Sequence, residues 1–187
     1  MPKINPHDSW LPLDQRYRDE PDDRARTLLK AVRDHMEHEI KGDIAPLMAT
    51  LTAAPVYHFW GNTPFMLSGR AAVEAFYLGM FTAGGNQFEV VIDTITADRA
   101  NVITQGQVKQ VHTGRELAAQ GRKEVNGKSF TDSDLFLSIA QLITVWPGDA
   151  DGRLVGEDIY FGDVPLSRLE PITVDDLPAG YRWQHRV

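Results

Sequence analysis

Cysteine is absent from all 187 residues, so disulfides, thiolate nucleophiles, iron–sulfur clusters and cysteine-bound zinc are excluded together. Positive charge is also in short supply. Nineteen Lys and Arg stand against 26 Asp and Glu, a net charge of −7, which leaves no overall basic field to draw in nucleic acid or an anionic membrane surface. No apolar run approaches the ~20 residues of a membrane-spanning helix, and the first twenty residues, polar and interrupted by Pro2, Pro6 and Pro12, lack the apolar stretch of a signal peptide. A cytoplasmic protein with no nucleic-acid and no membrane partner is expected. Neither kind of phosphate-cradling glycine loop occurs, and Ser68 sits in no Gly-x-Ser-x-Gly elbow, so nucleotide cofactors and serine-hydrolase chemistry have no foothold. The run His35-Met36-Glu37-His38-Glu39 lacks the His-Glu-x-x-His order, and a helix would turn His38 well away from Glu39. No metal and no cofactor is therefore expected.

What is present reads as one core, since 187 residues with 42% hydrophobic side chains suit a single domain. Residues 1–22 carry Pro2, Pro6, Pro12 and Pro21 and are expected to form an extended N-terminal arm that docks through Trp10, Leu11, Leu13 and Tyr17. From Asp22, the apolar residues Ala25, Leu28, Leu29, Val32, Met36 and Ile40 recur every three or four positions, which predicts a helix over 22–41 stopped by Gly42. A short helix over 43–51 capped by Asp43 and a strand over 55–60 follow, then a loop with Gly61 and Pro64, then a third helix over 69–82. Beyond Asn86 the period changes to two, placing strands over 88–96, 101–113, 135–146 and 153–161. The polar connection 114–129, with the hairpin signal Asn126-Gly127, is expected as a mobile flap. Residues 164–187, holding Pro165, Pro171 and Pro178, form a tail. Helices first and strands afterwards argue for an α+β domain over 23–163: a curved, mostly antiparallel sheet wrapped around three helices as a half-open cone, with a pocket between the long helix and the concave face of the sheet.

Polar residues inside apolar rows mark that pocket. On a wheel of about 100° per residue, Glu39 falls between Leu28 and Val32, and His35 lies about 20° beyond Leu28. The two form an i,i+4 pair that satisfies the carboxylate if they meet, either at a pocket wall or at a helix edge near solvent. Strand alternation puts Glu157 in one row with Val155, Ile159 and Phe161, where a carboxyl can serve as a general acid or base, unless it ends at the solvated rim of the sheet. In the strand 101–113, the row Val102, Thr104, Gly106, Val108, Gln110, His112 suits the pocket, with His112 at the mouth. In the strand 135–146, the row Leu137, Ile139, Gln141, Ile143 carries Gln141 as its lone amide. The run Val56-Tyr57-His58-Phe59-Trp60-Gly61 supplies aromatic bodies with polar tips, Tyr57 and Phe59 on one face, His58 and Trp60 on the other.

The order of elements, with Gly42-Asp43, the aromatic run 56–61, Ser68-Gly69-Arg70-Ala71-Ala72-Val73 followed by Phe76-Tyr77, and Gly152-Arg153-Leu154-Val155 leading to Glu157-Asp158-Ile159-Tyr160-Phe161, resembles the SnoaL-like proteins of the nuclear transport factor 2-like superfamily. The resemblance spans roughly residues 22–163 and implies a cone-shaped α+β domain, frequent homo-oligomers and a deep apolar pocket used by isomerases, dehydratases, cyclases, epoxide hydrolases and non-catalytic members. Where ketosteroid isomerases keep an aspartate base, this chain reads Phe59-Trp60-Gly61. Where limonene-epoxide hydrolases keep a pocket tyrosine, it has Tyr57, but Gly106, Val108 and Ile159 replace their charged set. The histidine of scytalone dehydratases falls on His112, while their second falls near Gln87. A cofactor-independent acid–base enzyme of the lyase, dehydratase or isomerase type is expected, acting on a small hydrophobic, aromatic hydroxylated molecule by loss of water or formaldehyde. Tyr57, His112 and Glu157 are expected to transfer protons. His35, Glu39 and Gln141 are expected to orient the ligand, with His58, Phe59, Trp60, Tyr77, Ile139 and Ile159 around it. A homo-oligomer, dimer or trimer, is expected, partly because Trp10 and Trp183 have no obvious core to join. The alternative is a non-catalytic binding or oligomerisation domain whose polar groups all satisfy one another.

Overall fold

The structure, a computed structural model, describes residues 2–61, 64–164 and 166–183; Pro165 and the last four residues of the expected tail lie outside them. After a 3₁₀ turn at Pro6–Asp8, helix α1 (Leu11–Asp19) occupies much of the stretch expected to be extended. Proline does not prevent it, because Pro12 stands in the first turn, where a helix has no use for the missing N–H. Helix α2 (Asp23–Lys41) begins where Asp22 accepts the N–H groups of Arg24 and Ala25 and ends where Gly42 adopts φ 78°, both as its sequence requires. The short α3 (Ile44–Ala49) leads into strand β1 (Leu51–Trp60), whose hairpin partner β2 (Phe65–Ser68) replaces part of the expected loop. Helix α4 (Arg70–Thr82) precedes β3 (Phe88–Ala97) and β4 (Asn101–Thr113).

The connection after β4 has secondary structure of its own. It folds as helix α5 (Gly114–Ala119), opened by a reciprocal cap between Thr113 and Glu116, and as a small hairpin of β5 (Glu124–Val125) and β6 (Lys128–Ser129) turning through Asn126 and Gly127. Leu117 and Val125 anchor it by burial against Phe136 and Leu169. Strands β7 (Leu135–Pro147) and β8 (Leu154–Phe161) follow, and the tail supplies β9 (Leu169–Ile172) and a 3₁₀ turn at Val174–Asp176.

One mixed sheet results, in the order β2-β1-β8-β7-β4-β3, with β9 beside the first half of β7. All its pairs are antiparallel except β1 with β8, which run parallel with Tyr57 opposite Glu157 and Phe59 opposite Ile159. That close pairing depends on Gly156, at φ 152°, where a side-chain carbon would lie 1.7 Å from the carbonyl oxygen of Val56. The main core lies between helices and sheet, gathering Leu28, Leu29, Val32 and Met36 of α2 with Val73, Val102, Trp146 and Leu154, and taking in Trp10 and Leu13. A second cluster covers the opposite face of β4 and β7: Val111, Leu135 and Leu137 pack with Ile4 and Ile172, and with Tyr181 and Trp183 alongside. Both tryptophans expected to need a partner molecule thus find places within the chain. No helix among the described residues is long and apolar enough to cross a membrane.

Candidate active site

Between α2, α4 and the concave face of the sheet lies a cavity of about 360 Å³, within the ~300–1,000 Å³ range of small-molecule sites. Aromatic and aliphatic side chains make most of its wall: Phe59 from β1, Phe76 and Met80 from α4, Phe88 from β3, Leu142 and Trp146 from β7, Ile159 and Phe161 from β8. Polar groups converge on it from three directions. Glu39 enters from α2, Tyr57 and Glu157 from the parallel pair β1 and β8, and Tyr77 from α4, while Thr104, Gln110 and Thr144 complete the lining.

Behind the two tyrosines sits His35, fully buried. Its Nε2 faces the Tyr77 hydroxyl at 2.9 Å, the Tyr57 hydroxyl at 3.3 Å and Glu157 Oε1 at 3.3 Å. Tyr77 also lies 3.0 Å from the Tyr57 hydroxyl and 3.1 Å from Glu157 Oε1. On the far side of the ring, Nδ1 lies 2.7 Å from Thr50 Oγ1. The edge of Trp146 packs on the imidazole, and its indole N–H donates to Thr104 at 3.1 Å. An imidazole lone pair and a carboxylate oxygen repel at such separation, so a hydrogen lies between His35 and Glu157, on Nε2 or on the carboxyl. Burial, ahead of the negative charge of Glu157, lifts both phenols well above the ordinary tyrosine range, and they remain hydrogen-bond donors.

Glu39 differs from the rest of the cluster. Its side chain makes no hydrogen bond among the described residues, and the expected i,i+4 pair with His35 does not form, because Thr50, the two tyrosines and Glu157 already occupy both imidazole nitrogens. Burial first, and the charge of Glu157 second, hold its carboxyl well above the ordinary 4.5. Two carboxyl groups with different environments therefore face one cavity.

Tyr57, Glu157, Glu39, Phe59, Tyr77 and Ile159 all meet at the cavity, with His35 directly behind. His112 does not join them. It lies on the expected face of β4, but beyond Gln110, where α5 and the β5–β6 hairpin close that end of the sheet, and its Nε2 is 3.0 Å from Ser138 Oγ. Gln141 and Ile139 point away from the cavity: the inward row of β7 is Leu142, Thr144 and Trp146, and Ile139 packs in the second cluster. His58 and Trp60 also face outward, where both reach Asp158, at 2.9 and 3.2 Å, and stack on one another. Thr104 lies in the row of β4 expected to suit the pocket, whereas Thr144 and Trp146 carried no distinguishing pattern; for Thr50 the signal was its place just after a helix, where a hydroxyl returns to the i−3 carbonyl. Among the described residues no cluster of three metal-ligating side chains occurs.

Solved structures share this architecture at low identity. Bal32a, from a soil-derived mobile gene cassette, superposes with a TM-score of 0.54 at 17% identity, over 75% of this chain and 93% of that one. A putative SnoaL-like polyketide cyclase from Jannaschia sp. CCS1 gives 0.55 at 17% identity, over 77% and 91%. SalBIII, an epoxide hydrolase/cyclase-like enzyme with a role in pyran ring formation in the polyether salinomycin, gives 0.51 at 10% identity, over 80% and 92%. These likenesses establish the fold alone. The comparison with curated proteins returned no match. The model of the SnoaL-like domain matches residues 32–126, which begin within α2 and carry His35, Glu39, Thr50, Tyr57 and Tyr77, and the chain belongs to that family.

Proposed function

We propose that the protein is a cofactor-independent acid–base enzyme of the lyase or isomerase type, acting on a small hydrophobic, aromatic hydroxylated molecule by loss of water or formaldehyde. One observation carries this reading: Glu157, backed by His35 at 3.3 Å, faces the same apolar cavity as a second carboxyl, Glu39, that has no hydrogen-bond partner among the described residues. A binding module with mutually satisfied polar groups would leave no such group unpaired. For dehydration, the Glu157 carboxylate takes the proton from carbon and becomes a carboxylic acid. The carbon–oxygen bond breaks as Glu39 gives its proton to the departing hydroxyl, which leaves as water. Between turnovers the proton on Glu157 passes back to Glu39, so the balance closes. Tyr57 and Tyr77, neutral donors, hold the carboxylate and a substrate oxygen in place.

A panel of aryl diols and aromatic β-hydroxy ketones, followed by mass spectrometry for loss of water or formaldehyde, tests the reading. On any substrate turned over, Glu157→Gln is expected to cost ~10²–10⁴-fold, as removal of a general acid–base does. Turnover that survives both Glu157→Gln and Tyr57→Phe unchanged would overturn it.

A further inference from the structure

The half-buried Thr50 lies outside the cavity, in a surface groove on the other side of His35 that also includes Lys30, Asp34, His38 and Arg153. Its hydroxyl carries a single hydrogen, and that hydrogen is committed, since Oγ1 donates to the carbonyl of Leu47 at 2.7 Å, the i−3 position of the preceding helix. The same oxygen is 2.7 Å from His35 Nδ1. An oxygen that has spent its only hydrogen can meet a ring nitrogen only by accepting. Nδ1 therefore carries a hydrogen, and the lone pair, or the exchangeable proton, of the ring stays on Nε2.

From this geometry we infer that Thr50 is a positioning residue: by holding the hydrogen on Nδ1, it directs the other ring nitrogen of His35, Nε2, at Tyr57, Tyr77 and Glu157. Were the ring in its other tautomer, Nε2 would be an N–H at all times and could not accept from either phenol. His35 could then no longer exchange a proton with Glu157, although every residue in the cavity remained in place. The role rests on the acid–base reading above for its purpose, but not for its test, because a tautomer is observable without a substrate.

The test is nitrogen NMR of the full chain labelled with ¹⁵N-histidine, with His35 identified by the proximity of its ring protons to those of Tyr57 and Tyr77. In the native protein Nδ1 should show the shift of a protonated nitrogen across the whole accessible pH range. A native His35 whose neutral form is protonated at Nε2 overturns the inference before any variant is made. Thr50→Val, which keeps the shape and removes the acceptor, should move Nδ1 toward the shift of a mixed or reversed tautomer, and Thr50→Ser should restore the native spectrum. A valine variant that keeps its native near-ultraviolet circular dichroism and an unshifted Nδ1 also overturns it. On a substrate found by the panel above, Thr50→Val is expected to lower kcat at least tenfold with KM little changed, recovered by serine. If the tautomer behaves as stated while Glu157→Gln leaves turnover intact, the positioning stands and the catalytic reading falls.

Discussion

At the scale of single residues, Glu39 is the group whose ionisation the fold opposes most plainly. Its carboxyl titrates near 4.5 in an unfolded chain and well above that in the native one, where burial and the Glu157 charge oppose ionisation. The native state therefore binds the extra proton as soon as the pH exceeds about 4.5, and stability attributable to this residue falls as the pH rises toward the native value. Glu39→Gln has no such dependence. Its melting temperature relative to the native protein should be higher at pH 8 than at pH 5, with each kcal/mol worth about 2–4 °C in a chain of this size. An equal difference at both pH values in thermal unfolding would contradict the shift. Alternation placed Tyr57, Phe59, Glu157 and Ile159 inward, and the wheel placed Glu39 correctly, because these residues lie on elements with one wet and one dry face. It failed on β7, whose two faces are both dry: Leu137 and Ile139 are covered by Ile4 and the chain's last segments, so an apolar row there did not mark the cavity. His112 failed for another reason, since its face was right but periodicity says nothing about where along a strand the cavity stops.

Elements were legible where caps and periodicity agreed, as in α2 between Asp22 and Gly42, and less so where a single residue type dominated the reading. Proline count suggested an extended start to the chain, whereas proline position permits α1. This helix is part of the core rather than an appendage: Leu13 and Trp10 join the main cluster, and Asp14 accepts from Arg33 of α2 at 2.8 Å. Leu13→Ala is accordingly expected to destabilise by about 2–5 kcal/mol, the range for a fully buried leucine. Urea unfolding would measure it, and a loss under about 1 kcal/mol, the scale of an exposed position, would mean that α1 contributes little to the fold. The pairing of β1 with β8 lay beyond sequence reasoning altogether, because two strands so far apart in the chain share no turn to fix their register.

For the molecule as a whole, the interior accounts for Trp10 and Trp183, and the apolar groups left in water lie elsewhere. Trp60, Met66 and Tyr160 are 42%, 57% and 43% exposed, and Trp60 and Tyr160 stack side by side on the outer face of β1 and β8. Association of copies through this face would cover them, and sedimentation velocity at micromolar concentration is expected to show a species heavier than the 20.9 kDa chain. A single monomer peak would show that the chain tolerates the exposed patch. The parallel joint between β1 and β8 has one more consequence, in time rather than space. Contacts of His35 with Thr50 and Tyr77 span 15 and 42 positions, whereas Tyr77 meets Glu157 across 80. A ribosome thus delivers the imidazole and both phenols long before the acid they wait for. Long-range closure of this sort is the slow part of folding. The meeting of His35 with Glu157 would therefore serve as a clock hand for assembly, silent until the eighth strand slots in beside the first.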